Sequence, residues 1–362
     1  MTEQLPVLCS ERETAAGRRI GFMKLNRPRQ VNALTLQMCQ LMLDQLRAWA
    51  SDEGIVAVVL EGEGAKGLCA GGDVAGVIRE VRAGGPGRFV YGDAFFEVEY
   101  TLDLLIHTYP KPLLSWSHGI CMGGGVGLAV GASHRIVSEG SRIAMPEIHI
   151  GLFPDVGGGW FLNRVPGGAG TLMALTGMMI NEADAIFAGL ADVFVPEQAR
   201  AGFFDAMLGL DWSGDAAADR ARLTALCQAE HKRWQGDLPA SQLARSIDTI
   251  RAIAWQANVA DVRDALVAAA DANPWLEQPA GNLVNGSPTA AHVTFEYLRR
   301  TRQMSIAEVL RLDLVLARSF LRLNDFGEGV RALLIDKDRA PKWLPARFEE
   351  VTPELVASHF VS

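Results

Sequence analysis

The chain lacks the cysteine pattern of a stapled or metal-bound fold. Cys9, Cys39, Cys69, Cys121 and Cys227 are scattered, odd in number and without a C-x-x-C pair, so neither a disulfide framework nor a zinc site is expected, and a reducing compartment fits best. Positive charge is not in excess: 34 Lys and Arg face 42 Asp and Glu, a formal −8, which argues against a nucleic-acid or anionic-membrane partner. Long apolar runs are missing too. The longest, Ile120 to Ala132, is broken by Gly123, Gly124, Gly125, Gly127 and Gly131 and is too short to span a bilayer. The opening MTEQLPVLCSERET has no basic leader before an apolar run, so no secretory signal is read and a cytoplasmic address is expected. The seven histidines show no H-x-x-x-H spacing, and there is no G-x-S-x-G elbow or Cys/His dyad. Metal and serine hydrolase chemistry are both disfavoured.

What is present is a soluble balance, 49% hydrophobic and 21% charged over 362 residues, enough for one large domain or two. Arg19 to Leu25 reads as a strand closed by the turn Asn26-Arg27-Pro28. Leu34, Met38, Leu41, Met42, Leu46 and Trp49 recur at helical spacing, and the run Ile55 to Leu60 has the length and composition of a strand buried on both faces. A glycine-rich loop, Glu61 to Asp73, follows. Arg88 to Thr108 reads as a helix and Leu113 to Trp116 as a strand. Strand, loop and helix in succession predict an α/β fold with ligand loops at the strand ends. Beyond about Asp211, Ala-rich helical patterns dominate: 216–234, 240–255, 261–270, 288–301 and 306–321. The expected organisation is a core over 1–210 and a mainly helical region over 211–362, with a soft boundary.

The chemistry concentrates in Ser117 to Trp160, which holds Gly123-Gly124-Gly125 and Gly157-Gly158-Gly159 with Glu147 and Asp155 between them. A helix opening at a glycine run aims unpaired N–H groups at one point. If this loop converges with Ala70-Gly71-Gly72, the two form a pair of oxyanion donors, each contributing roughly 2.7–4 kcal/mol to barrier lowering. Taken singly, either loop is equally a tight strand-to-helix turn. Glu147, beside Met145, Pro146 and Ile148, is expected to be partly desolvated and raised in pKa. Its plainer reading is a turn carboxylate, that of Asp155 an N-cap, and that of Glu99 a solvated helix residue.

The segments LNRPRQVNAL (25–34), CAGGD (69–73), HGICMGGGVGL (118–128) and MPEIHIGLFPDVGGG (145–159) resemble the enoyl-CoA hydratase/isomerase (crotonase) superfamily. The resemblance continues through LTGMMINEADAIFAGLADVFV (175–195) and SPTAAHVT (287–294). With DFGEGVRALLIDKDRAPKWLP (325–345), which is specific to that branch, it points to the 3-hydroxyisobutyryl-CoA hydrolases. It implies a crotonase-like spiral of strand-strand-helix units with a helical C-terminal region. It also implies an acyl-CoA thioester substrate with no further cofactor or metal, and a homo-oligomer such as the trimers common among relatives. It maps oxyanion donors onto Gly72 and Gly124, the acidic pair onto Glu147 and Asp155, and a substrate-contacting glutamate onto Glu99. Arg29, Gln30 and Val31 fall where relatives contact coenzyme A, and Asp73 closes the substrate-binding set. Hydratases carry a second catalytic glutamate at the position of Gly127, so water addition lacks half its acid/base pair here. The implied activity is hydrolysis of 3-hydroxyisobutyryl-CoA in valine breakdown. The alternatives are a hydratase or isomerase, a hydrolase of another short 3-hydroxyacyl-CoA such as 3-hydroxypropionyl-CoA, and an inactive CoA-binding protein.

Overall fold

The computed structural model describes residues 5–361. Among these, eight strands form: β1 (Val7–Glu13), β2 (Arg19–Leu25), β3 (Ile55–Gly62), β4 (Leu113–Ser117), β5 (Ile120–Met122), β6 (His134–Val137), β7 (Arg142–Ala144) and β8 (Val193–Phe194), with β2, β3 and β4 on the stretches the sequence marked. One six-stranded sheet has the order β1-β2-β3-β4-β6-β8, parallel from β2 through β8, with β1 antiparallel at its edge. All eight residues of β3 are buried, as a strand covered on both faces requires. Strand β1 had no signal: only Val7 is buried and the other six residues are exposed, so no alternation exists to be read.

Contacts divide the chain into two units made of interleaved segments, rather than at one linear boundary. The first comprises 1–72, 101–143 and 180–241; the second 73–100, 144–179 and 242–362. The first unit holds the six-stranded sheet. Its core sets Trp116 against Phe203 and Phe204, with ring centroids 5.7 and 5.4 Å away, and adds Phe22, Ile136, Met207 and Leu223. Each such side chain contributes roughly 1.5–3 kcal/mol by leaving water. The helix Leu36–Ser51 begins where Thr35 accepts a hydrogen bond from the Met38 amide, and it buries Met38, Met42, Leu46 and Trp49 at helical spacing.

The second unit is helical. Pro288–Thr301 and Ile306–Arg322 occupy their expected spans, each opened by a serine N-cap, Ser287 and Ser305. The pattern over 240–255 forms two pieces, Gln242–Arg245 and Ile247–Ala254, separated at Ser246. Phe153 stacks on Phe320 at 5.6 Å and meets Tyr297 edge-on at 5.1 Å, giving this unit its aromatic centre. Among the described residues no strand follows Phe194, and no helix is long and apolar enough to cross a membrane.

Candidate active site

In the first unit the two glycine loops converge. Met122 donates its amide to the Cys69 carbonyl at 3.0 Å, and Cys69 bridges Cys121 in parallel register. The approach needs glycine: a Cβ on Gly125 would lie 2.5 Å from the Cys69 carbonyl oxygen. A Cβ on Gly71, where φ is +101°, would lie 3.2 Å from the Met122 carbonyl and 3.6 Å from the Gly124 nitrogen. Gly72 bridges Leu34, and Gly124 is the first residue of the helix Gly124–Val130, so its N–H has no acceptor one turn earlier. Asn32 ties in the loop before it, donating to the carbonyls of Glu63, Gly67 and Leu68. Val31, at φ +48°, accepts from the Ala70 amide, while Arg29 and Gln30 lie exposed in the short turn Pro28–Gln30.

In the second unit the acids cluster. Glu147 opens the turn Glu147–Ile150 and is 5% exposed; its Oε2 is buried with no hydrogen-bond partner. Backbone from two other segments closes on this turn. A Cβ on Gly177 would sit 2.9 Å from Pro146 Cα, and one on Gly329 would sit 2.4 Å from the Ile150 carbonyl carbon. Ser287 donates its amide to the Ile148 carbonyl and its hydroxyl to Asp325 Oδ2 at 2.6 Å. The C-terminal motif beginning at Asp325 is thus a wall of the Glu147 environment.

Asp155, also 5% exposed, accepts from the Tyr100 hydroxyl at 2.6 Å. It is not an N-cap: the helix that follows is capped by Gly157 with no side-chain bond. Burial raises its pKa to about 6, against the lowering effect of the Tyr100 bond and a backbone amide. Burial, with the Asp155 charge added, drives Glu147 well above the ordinary carboxylate range. Burial thus holds both carboxyls above their ordinary range, and the two titrate as a pair.

Glu99 differs from the expectation of a solvated residue. In the helix Val90–His107 it is 2% exposed, on the side that carries Phe96 and Tyr100, while Glu97 faces outward to Arg318 at 2.9 Å. Asp73 caps the helix Val74–Ala83, accepting from the Gly76 amide at 3.2 Å. Three residues escaped the sequence reading: Tyr100, Tyr297 and Asp313. Asp313 had a signal, because it occupies the apolar stripe of Val309, Leu310, Leu316, Ala317 and Phe320, where an unpartnered carboxyl is not tolerated.

A mixed α/β chain with converging glycine loops and a coupled, buried acid pair has the construction of a crotonase-type acyl-CoA enzyme. The enoyl-CoA hydratase/isomerase family matches residues 20–360, and the chain belongs to that family. It is 37% identical over 343 residues to the mitochondrial 3-hydroxyisobutyryl-CoA hydrolase of Xenopus tropicalis, covering 94% of this chain and 86% of that one. Its fold is similar to a crystal structure described as a carnitinyl-CoA dehydratase from Mycobacterium thermoresistibile, with a TM-score of 0.85, 35% identity, and coverage of 98% of this chain and 96% of that one. It is also similar to one described as an enoyl-CoA hydratase from Rhodobacter sphaeroides, with a TM-score of 0.84, 37% identity, and coverage of 97% and 96%. The expected cytoplasmic address is corrected by the first of these, since the hydrolase so similar along its length is a mitochondrial protein. That expectation rested on the first residues and on the cysteine pattern, and neither reads an organelle address, which is no part of the packed fold.

Proposed function

We propose that the chain hydrolyses a short 3-hydroxyacyl-CoA, foremost 3-hydroxyisobutyryl-CoA, releasing coenzyme A and the free hydroxy acid as a step of valine breakdown. The observation that carries this reading is the buried Glu147–Asp155 pair with an unpartnered Glu147 oxygen, in a chain so similar to a hydrolase of that name. The amides of Gly72 and Gly124 take the thioester oxygen as it gains charge. Ionised Glu147 either attacks the carbonyl carbon, expelling the thiolate and leaving an anhydride that water opens, or removes a proton from the attacking water. Asp155 holds the substrate hydroxyl or the water, Glu99 bounds the acyl pocket, and Arg29, Gln30, Val31 and Asp73 meet the rest of the substrate. Thioester and water balance acid and thiol, so no cofactor enters beyond the coenzyme A carried by the substrate.

The names of the two solved structures favour a second reading, hydration on the same fold. Against it stands Gly127, inside the helix Gly124–Val130, which offers no carboxyl where hydratases carry their second glutamate. Thiol release from 3-hydroxyisobutyryl-CoA, 3-hydroxypropionyl-CoA and the unsaturated and unhydroxylated analogues separates the readings. The hydroxylated thioesters are expected to turn over fastest, since a site built for a hydroxyl leaves polar groups unpaired without it. Hydration of the unsaturated analogue without thiol release overturns the proposal. Single turnover in heavy-oxygen water distinguishes the two Glu147 routes, label in the Glu147 peptide marking the anhydride.

A further inference from the structure

The turn that follows Asp155 is held in a conformation its residues would not choose. Val156 has φ +50°, a left-handed conformation that is a genuine outlier for a β-branched side chain, and Gly157 continues at φ +84°. Such backbone costs about 1–3 kcal/mol and persists only where its surroundings impose it. Here two side chains from distant helices do so. Asp313, fully buried in Ile306–Arg322, accepts from the Gly157 amide through Oδ2 at 2.8 Å. Tyr297, fully buried in Pro288–Thr301, accepts from the Gly159 amide at 2.8 Å and donates to Asp313 Oδ1 at 2.5 Å. The two amides flanking Gly158 are thereby fixed, while the Gly158 amide itself returns to the Asp155 carbonyl at 2.7 Å. A Cβ on Gly159 would lie 2.7 Å from the Tyr297 hydroxyl, so the glycine is what admits the clasp.

We infer that Asp313 and Tyr297 are positioning residues for the reaction: they clamp the strained turn 156–159 and so hold the Asp155 carboxyl where the Tyr100 hydroxyl donates to it. Neither takes part in the chemistry. They act through Asp155, and the inference rests on the proposed hydrolysis in that respect alone. A clamp of this kind matters because a displacement of about 1 Å in a reacting group is enough to cost on the order of 100-fold in rate.

The test is a double-mutant cycle between Tyr297→Phe and Asp155→Asn, with Asp313→Asn as a second probe of the clamp. The phenyl ring of Tyr297→Phe retains the edge contact with Phe153, so only the hydroxyl is lost. In the wild-type background kcat for thiol release is expected to fall ~10- to 100-fold with KM within about twofold, and in the Asp155→Asn background the same change is expected to cost almost nothing. Equal losses in both backgrounds, or none in the first, overturn the inference. A second readout stands whatever the substrate proves to be. Amide exchange at Gly157 and Gly159 is expected to quicken at least tenfold in Tyr297→Phe, and the carboxyl resonance of Asp155 is expected to titrate at a different pH. An unmoved titration with unchanged exchange means that the hydroxyl positions nothing. Absence of thiol release in the wild-type protein, with both of these signals moved, overturns the hydrolysis and leaves the clamp standing.

Discussion

The Tyr100 hydroxyl donates a 2.6 Å hydrogen bond to Asp155 Oδ2, and both groups are buried. The phenol keeps its proton firmly, because burial and the neighbouring charges of Asp155, Asp313 and Glu99 all push its pKa up. The bond therefore serves the ionised form of Asp155, and it is one of the effects that hold that carboxyl down near 6 against burial. Tyr100→Phe removes it, so Asp155 must titrate higher. The acidic limb of the pH profile of kcat/KM is expected to move to higher pH by roughly half a unit or more, for a bond of about 1 kcal/mol. A profile that stays in place would show that Asp155 ionisation does not govern the limb.

The same pKa shift sets a stability trend. A carboxyl raised from 3.8 to about 6 binds more proton in the native state than in the unfolded chain between those values, so its contribution declines as pH rises through that window and stays unfavourable above it. Asp155→Asn removes the buried charge while leaving an oxygen for Tyr100. In urea unfolding at pH 7.5 the variant is expected to exceed the wild-type protein by up to the order of 3 kcal/mol. At pH 4 the two are expected to converge. A difference that is the same at both pH values contradicts the assignment.

Glu147→Gln keeps the shape of the side chain and takes away its basicity. Thiol release is expected to fall ~100- to 10,000-fold, the range for losing a positioned base. Acyl-CoA binding, measured by titration calorimetry, is expected to stay within a few-fold. Retained hydrolysis would transfer the role to another group; lost binding would mark Glu147 as structural.

Two glycines near the Glu147 turn test how closely the C-terminal motif packs on it. Gly151 has φ +67°, and a Cβ there would lie 2.4 Å from the Asp325 carbonyl oxygen, a backbone atom. Gly151→Ala is therefore expected to destabilise the fold by at least ~2 kcal/mol and to reduce activity with it. Gly327 stands in the helix Asn324–Val330 with nothing within 4 Å of its Cβ position, so Gly327→Ala is expected to be neutral or to stabilise by up to ~1 kcal/mol. Urea unfolding of both variants checks the contrast, which fails if the two behave alike.

What the sequence determined on its own was whatever depends on neighbours along the chain. The strand-like stretch Arg19–Leu25 and the apolar run Ile55 to Leu60 become strands, and the periodic stretches Ala216–Trp234 and Pro288–Thr301 become helices, because near-neighbour spacing decides which face can be buried. The motifs around Gly72, Gly124, Glu147 and Asp155 marked the family in the same way. Tertiary structure decided what those residues experience. Glu97 and Glu99 are two positions apart on one helix, yet one faces Arg318 at the surface and the other is 2% exposed, because the surface packed against each side differs. The strained turn after Asp155 is gripped by Tyr297 and Asp313, 138 and 156 residues from the amides they bind. Desolvation and strain are set by whatever distant segments fill the space around a group, and local spacing carries no record of them.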